Sequence, residues 1–132
     1  MSITAANVNG IADAQSPYPA YVQDQQNIYV SGQVAFDDDG NIVGEGDPAK
    51  QTEVAIDRLA RVLAAAGSDL DHVVSTTVYL TSADFGSEMN RVWRKKFGQH
   101  RPARATVIAG LLDDRLMVEI TAIAVAFTKD SE

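Results

Sequence analysis

The chain has 132 residues, a formal net charge of −7 and no cysteine, a combination that suits one domain and excludes disulfides, thiolate catalysis and cysteine-ligated metals. Its negative charge disfavours binding to nucleic-acid phosphates, and it has neither a secretory-signal pattern nor an apolar run of the roughly 20 residues that span a bilayer. We therefore expect a single cytoplasmic domain over residues 1–132 that contacts neither nucleic acid nor membrane.

The first part of the chain predicts an extended arm followed by a hairpin. Residues 1–20 are small and polar, and we expect them to form an arm with one short strand. Residues 27–36 are rich in β-branched and aromatic side chains, which indicates a strand. The Asp- and Gly-rich residues 37–41 are typical of a turn, so residues 42–43 are predicted to be a short return strand.

Two helices with apolar stripes are predicted on either side of a further strand. The first covers residues 48–66, because Asp47 is a preferred N-cap and Gly67 supplies a left-handed stop. A strand over residues 72–81 follows, and then a second helix over residues 83–97.

Two final strands, over residues 104–109 and 116–127, complete the order β-β-α-β-α-β-β. This order favours an α+β fold in which two helices cover one face of a mixed sheet. The last strand is apolar at both its even and its odd positions, apart from Glu119 and Thr121. Because two helices cover only one face, we expect the second face to meet another subunit.

Arg104 is the leading candidate for a ligand-binding cation. Pro102 favours an extended chain before it, which places Arg104 at the mouth of a strand. The planar guanidinium binds a carboxylate through two parallel hydrogen bonds. The residues alone leave open the alternative of an ordinary surface arginine at a strand end.

Glu119 is a carboxylate inside an otherwise apolar strand. A buried acid is costly unless it is paired or functional. It is therefore either an ion partner of Arg104 on a neighbouring strand or a group that orients or deprotonates water.

Three further positions have both a functional and a structural interpretation. Gly32, within Ser31-Gly32-Gln33, permits either close approach of a ligand or a bulge in the strand. Tyr18, which lies between two prolines, is either a lid or a packing residue. Asn90 lies one residue away from the apolar stripe of the second helix and would ordinarily be solvated.

A basic stretch near the second helix raises the question of RNA binding. Six basic residues and no acid occur within it: Arg91, Arg94, Lys95, Lys96, Arg101 and Arg104. Cations in the last turns of a helix complement its dipole, so we expect no RNA binding from this stretch. His72 and His100 lie on different predicted elements and do not suggest a ribonuclease pair.

Several segments resemble the RidA/YjgF family in order and spacing, over about residues 15–127. They are Pro17-Tyr18, Val30-Ser31-Gly32-Gln33, Thr76-Thr77-Val78-Tyr79-Leu80, Asn90, Pro102-Ala103-Arg104-Ala105-Thr106-Val107, and Val118-Glu119-Ile120 with Ala122-Ile123-Ala124. The segment around Arg104 and its fifteen-residue spacing to Glu119 are the most specific parts.

The resemblance implies a chorismate-mutase-like α+β sandwich that forms a homotrimer with a central barrel and ligand clefts between subunits. It implies a cofactor-free hydrolysis of 2-imino or enamino acids, such as 2-iminopropanoate and 2-iminobutanoate, to 2-keto acids and ammonia. Arg104 matches the carboxylate-binding arginine and Glu119 the water-associated glutamate. The other cleft positions matched are Tyr18, Ser31, Gly32, Asn90 and Thr106.

The chain departs from the family pattern at three places. Pro19-Ala20 follow the tyrosine where the family often has Ser-Gln, Ala105 follows the arginine where a serine is common, and Leu111-Leu112 replace Leu-Pro. The first departure leaves the substrate's shape and size open. Two other functions remain as alternatives: a non-catalytic module that binds small carboxylates, and an RNA-cleaving translation inhibitor.

Overall fold

The structure is a computed structural model and describes residues 2–127; the ends of the expected domain, Met1 and residues 128–132, lie outside the described part. The described chain forms six strands and two helices. The strands are β1 (Ile3–Ala6), β2 (Tyr21–Asp24), β3 (Asn27–Gln33), β4 (Val73–Leu80), β5 (Ala103–Ile108) and β6 (Val118–Val125). The helices are α1 (Pro48–Ala65) and α2 (Gly86–Phe97), with short 3-10 turns at Leu70–His72 and Ala83–Phe85.

All six strands belong to one mixed sheet in the order β1-β2-β3-β6-β4-β5. Only β4 and β5 run parallel, and α2 connects them; the other neighbours are antiparallel. The helices α1 and α2 contact each other, and α1 packs on β3 and β6. The predicted α+β architecture, with two helices on one face of a mixed sheet, is confirmed.

The helix α1 forms where its capping residues predict. The side chain of Asp47 accepts a hydrogen bond from the backbone N–H of Lys50 at 3.0 Å, and proline occupies the first helical position. Gly67, with φ +77°, follows the helix end. The apolar stripe is fully buried against the sheet: Ala55, Ile56, Leu59, Val62 and Leu63.

The two faces of β6 have different surroundings. The even-numbered residues lie in the core under the helices: Val118, Ile120, Ala122 and Ala124. The odd-numbered residues lie on a face that no element of the described chain covers, where Ile123 is 36% exposed and Tyr29 of β3 is 43% exposed. We call this second face the open face.

Three details differ from the sequence prediction. The strand β2 was not predicted, because its hairpin turn uses Gln25, at φ +57°, rather than glycine or asparagine. The predicted return strand at residues 42–43 is wrong: Ile42 makes only an isolated bridge to Phe36, and β3 already ends at Gln33. The last strand is shorter than predicted.

Neither helix of residues 2–127 is long and apolar enough to cross a membrane.

A buried glutamine ties α1 to the chain that enters β6. Gln51 is 0% exposed, and its amide nitrogen donates to the carbonyl oxygens of Val43 at 3.2 Å and Arg115 at 2.9 Å. Its amide oxygen accepts from the backbone N–H of Met117 at 2.7 Å. One side chain therefore satisfies three backbone groups on two separate loops, including the buried N–H of Met117.

Gln51→Leu should lower the free energy of unfolding by about 2–4 kcal/mol, because it removes the hydrogen-bond partner of all three backbone groups and leaves the Met117 N–H buried without one. Urea denaturation would measure the change. The neighbouring change Lys50→Met, at a half-exposed surface position, is the control and should stay within about 0.5 kcal/mol of wild type. Equal effects of the two changes would contradict the assigned role.

Candidate active site

Three side chains of α2 contact the guanidinium of Arg104. The Nη2 of Arg104 donates to Asn90 Oδ1 at 2.7 Å, and Nη1 lies 3.4 Å from Met89 Sδ. The guanidinium carbon stands 5.0 Å from the centre of the Trp93 ring, which is a cation–π contact. These contacts fix the plane of the guanidinium before any ligand is present.

The charge of Arg104 has no carboxylate partner among residues 2–127. No ion pair includes it, and both burial and the nearby charge of Arg94 lower the pKa of Arg104 from its usual value. Arginine nevertheless remains protonated at neutral pH. An oriented and unneutralised guanidinium is well suited to bind a planar carboxylate.

A cavity of about 640 Å³ opens beside Arg104, between α2 and the start of β5. We call it the arginine cavity. Its other charged lining residues are Arg94 and Arg101, and no acidic residue lines it. The aromatic rings of Trp93 and Phe97 form part of its wall. This cavity therefore favours an anion.

Glu119 lies on the open face of β6. Its carboxylate accepts no hydrogen bond and forms no ion pair among the described residues, and burial raises the pKa of Glu119 above its usual value. A carboxylate with a raised pKa is a stronger base than an exposed one. Glu119 can therefore accept a proton from a water molecule next to it.

The bulge at Ser31 and Gly32 makes room for Glu119. The register between β3 and β6 shifts between Val30 and Gln33, which confirms a bulge at this point. A Cβ atom on Gly32 would collide with Glu119 Oε2 and lie 2.8 Å from its Cδ. The glycine thus lets the carboxylate pack directly over the bulge.

Ser31 and Tyr18 connect the bulge to the N-terminal arm. The hydroxyl of Ser31 donates to the carbonyl oxygen of Pro19 at 2.8 Å, and its backbone N–H donates to Ala20. This anchors the arm directly after Tyr18, which is 60% exposed. The aromatic ring consequently stands at the entrance to the space above Gly32.

A second cavity, of about 520 Å³, contains Tyr18, Gly32 and Glu119. We call it the glutamate cavity. Arg115 also lines it, but both ends of its guanidinium bind Asp113 at 2.9 Å. Hydrogen bonds from Arg115 lower the pKa of Asp113 to about 2. Because Asp113 already neutralises Arg115, the unpaired Arg104 is the better carboxylate binder.

Arg104 and Glu119 do not meet within one chain. The strand β4 lies between β5 and β6, and Arg104 contacts the helix layer while Glu119 faces the opposite side of the sheet. The two cavities have no lining residue in common. The alternative that the two residues form an ion pair across neighbouring strands is therefore wrong for the single chain.

The remaining sequence candidates have identifiable surroundings. Thr106 lies on β5 two residues after Arg104 and lines neither cavity. Asn90 lines the arginine cavity and orients Arg104. His72 binds Asp69, whereas His100 binds the backbone of Val73, so the two histidines have separate partners.

Sequence reasoning missed the side chains that support these candidates. Trp93 and Met89 belong to the apolar stripe of α2, and their spacing of four residues suggested only a core role. Asp113 and Arg115 lie between the two final predicted strands, over residues 104–109 and 116–127. No local pattern indicates that this segment lines the glutamate cavity.

Residues 10–126 match the sequence profile of the family described as Endoribonuclease L-PSP. The chain belongs to this family, which is the YjgF/RidA family. The RidA/YjgF resemblance of the sequence motifs is thereby confirmed.

Curated relatives carry two kinds of name. A 2-iminobutanoate/2-iminopropanoate deaminase from Mus musculus is 38% identical over 113 residues, which cover 85% of this chain and 83% of the mouse protein. A RutC family protein from Pyrococcus abyssi is 33% identical over 108 residues, covering 82% of this chain and 85% of that protein.

A solved structure shares the whole fold. The crystal structure of YyfA from Yersinia pestis, a protein of unknown function of the conserved Rid family, superposes with a TM-score of 0.87 at 29% identity. The match covers 95% of this chain and 100% of that one. The architecture described above is therefore that of the YjgF/RidA family.

Gly32→Ala should lower the free energy of unfolding by about 1–3 kcal/mol, because the new methyl group overlaps the Glu119 carboxylate. Shortening that side chain should relieve the overlap. In a double-mutant cycle by urea denaturation, Gly32→Ala should cost about 1 kcal/mol less when Glu119→Ala is also present. Additive costs would show that the two side chains do not compete for this space.

Proposed function

We propose that this protein hydrolyses reactive 2-imino acids and their enamine forms, such as 2-iminopropanoate and 2-iminobutanoate, to 2-keto acids and ammonia. The observation that carries the proposal is Arg104, a guanidinium that Asn90 and Trp93 orient and that no described carboxylate neutralises. The names of curated relatives support the same reaction.

The chemistry needs an oriented substrate and a positioned water. A protonated imine is electrophilic at its C=N carbon, so no metal or cofactor is required for attack. Arg104 would bind the substrate carboxylate through two hydrogen bonds. Glu119 would accept a proton from the water while the water oxygen bonds to the imine carbon.

The resulting carbinolamine then collapses. The proton held by Glu119 passes to the nitrogen and the C–N bond breaks. Ammonia leaves while the hydroxyl group gives its proton back to Glu119, and the carbonyl of the keto acid forms. A backbone carbonyl near Thr106 is proposed to accept a hydrogen bond from the substrate nitrogen. Since imines hydrolyse readily in water, positioning alone supplies enough acceleration.

We further propose that each site forms between two copies of the chain in a homotrimer. Arg104 and Glu119 lie on opposite sides of one sheet, so a ligand that contacts both requires a second subunit. The open face supports such assembly, because it exposes Tyr29, Ile123 and Val107 to solvent in the single chain. Tyr18, Ser31 and Gly32 would complete the glutamate side of the cleft.

The ribonuclease alternative has less support, despite the family's description. Two cations of the basic stretch are already ion-paired: Arg91 binds Glu88 at 3.2 Å and Lys96 binds Asp57 at 2.8 Å. The net charge of −7 opposes binding to a polyanion.

A coupled assay tests the reaction itself. An amino-acid oxidase generates 2-iminopropanoate from alanine or 2-iminobutanoate from 2-aminobutanoate, with catalase to remove peroxide. Ammonia release should be faster with this protein than without it. Binding of keto acids without faster ammonia release would favour the alternative of a non-catalytic carboxylate-binding module.

Arg104→Lys should lower kcat/KM by roughly 100-fold, because lysine retains the charge but loses the two-pronged hydrogen bonding. Arg94→Lys, at a neighbouring cation of the same cavity, is the matched control and should change far less. Thermal unfolding should be unaffected by either change. Full activity of Arg104→Lys would show that bidentate binding is unnecessary.

Glu119→Gln should reduce kcat more than it changes KM. In the wild type, kcat/KM should fall as the pH drops through the raised pKa of Glu119, since the protonated acid cannot accept a proton. This acid limb should disappear in the variant.

The same raised pKa sets the sign of the stability effect. A carboxyl whose pKa is higher in the folded state favours folding when protonated, and this contribution is lost as the pH rises through its folded-state pKa. Glu119→Gln should therefore be at least as stable as wild type at pH 7. A destabilised variant whose activity loss follows its unfolding would contradict the catalytic role.

Complementation between subunits tests the shared site. Arg104→Ala and Glu119→Gln should each retain only a small fraction of wild-type activity alone. After joint refolding at equal amounts, random trimers should recover about one quarter of wild-type activity. Each site takes Arg104 from one subunit and Glu119 from its neighbour, so one site in four has both residues intact. No recovery, or a mass of 14.2 kDa by light scattering, would contradict the shared site.

A further inference from the structure

A second arginine, Arg58 on α1, lies almost fully buried near the glutamate cavity. It is 6% exposed, and its Nη1 donates to the carbonyl oxygens of Gly10, Phe36 and Asp37 at 3.0–3.3 Å. Its Nε is buried without a hydrogen-bond partner, and its Nη2 donates to no described residue. Two of the three guanidinium nitrogens therefore lack acceptors.

The carboxylates closest to Arg58 are directed to other partners. Asp37 accepts from the backbone N–H groups of Asp39 and Asn41, each at 2.9 Å. Asp38 binds Arg61 at 2.7 Å. No ion pair within residues 2–127 includes Arg58. Its buried positive charge is offset by carbonyl dipoles, by the Phe36 ring 5.9 Å from its guanidinium carbon, and by the charges of Asp37 and Asp38.

A small cavity of about 50 Å³ lies between Arg58 and the bulge of β3. Its wall includes Tyr18, Gly32, Val34 and Phe36, and the same four residues line the glutamate cavity. The two spaces are therefore adjoining. A water molecule needs roughly 10–15 Å³ of such cavity volume, so the small cavity has room for a carboxylate group.

We propose that this cavity is a subsite for a second carboxylate, and that the protein prefers 2-imino acids whose side chain ends in an acid. This inference rests on the proposed imine hydrolysis and names its substrate class. The 2-carboxylate would bind Arg104 of the neighbouring subunit, while the side-chain carboxylate would accept a hydrogen bond from Nη2 of Arg58. The reaction at the imine carbon is unchanged.

The test compares dicarboxylic with monocarboxylic imines. Amino-acid oxidases would generate 2-iminosuccinate from aspartate and 2-iminoglutarate from glutamate, beside 2-iminopropanoate from alanine. The ratio of kcat/KM for a dicarboxylic imine to that for 2-iminopropanoate should exceed one in the wild type. Arg58→Met should lower this ratio roughly ten- to a hundredfold, the range for a lost charged hydrogen bond.

Arg61→Met is the matched control. Arg61 lies one turn further along α1 and holds the same arm through the carbonyl oxygen of Asn9, but it does not line the small cavity. Its loss should leave the ratio unchanged. An equal drop in both variants would mean that the arm, and not the charge of Arg58, sets the preference, and would overturn the subsite.

A ligand measurement on the wild type covers the case in which Arg58→Met does not fold. The products oxaloacetate and 2-oxoglutarate should raise the melting temperature more than pyruvate and 2-oxobutanoate do at the same concentration. Equal shifts, or a kcat/KM ratio at or below one, would overturn the subsite while leaving imine hydrolysis intact. Stronger protection by dicarboxylates without acceleration of any imine would support the subsite and refute the hydrolase.

Discussion

The strand β6 lies at the centre of the sheet and hydrogen-bonds to both β3 and β4, so its side chains must alternate between the two faces. The even positions are committed to the core beneath α1. Glu119 is therefore directed to the face that lacks a helix layer, and the bulge at Gly32 opens the space that its carboxylate occupies. The position of Glu119 thus follows from the pairing of one central strand.

The same alternation separates the two charged candidates. In the pairing of β5 with β4, Arg104 lies opposite Thr76, which is buried on the helix side of the sheet. Because Arg104 lies against α2 and Glu119 on the opposite face, the two residues of one chain cannot both contact the same small ligand. If they act together, assembly precedes catalysis, and dilution below the dissociation constant of the oligomer would abolish activity without unfolding the chain.

Local signals in the sequence predicted much of this fold. Asp47 and Gly67 mark the ends of α1, and a run of residues that is apolar on both faces marks the last strand, because these signals lie within a few residues. The strand β2 was missed because Gln25 forms its turn without the usual glycine or asparagine. Which face Arg104 occupies depends on pairing with β4, and no short-range pattern of residues carries that information. The contact of Trp93 with Arg104 could not be predicted for the same reason, because it joins residues of two separate elements.

The strand β5 is one edge of the sheet and pairs only with β4. All six of its residues are exposed, so its outer row of backbone N–H and C=O groups is a template to which another strand could add without limit. A charged side chain at an edge opposes such growth. Arg104 is the only charged side chain on β5, so its loss would also remove the one charge on this strand that opposes such pairing.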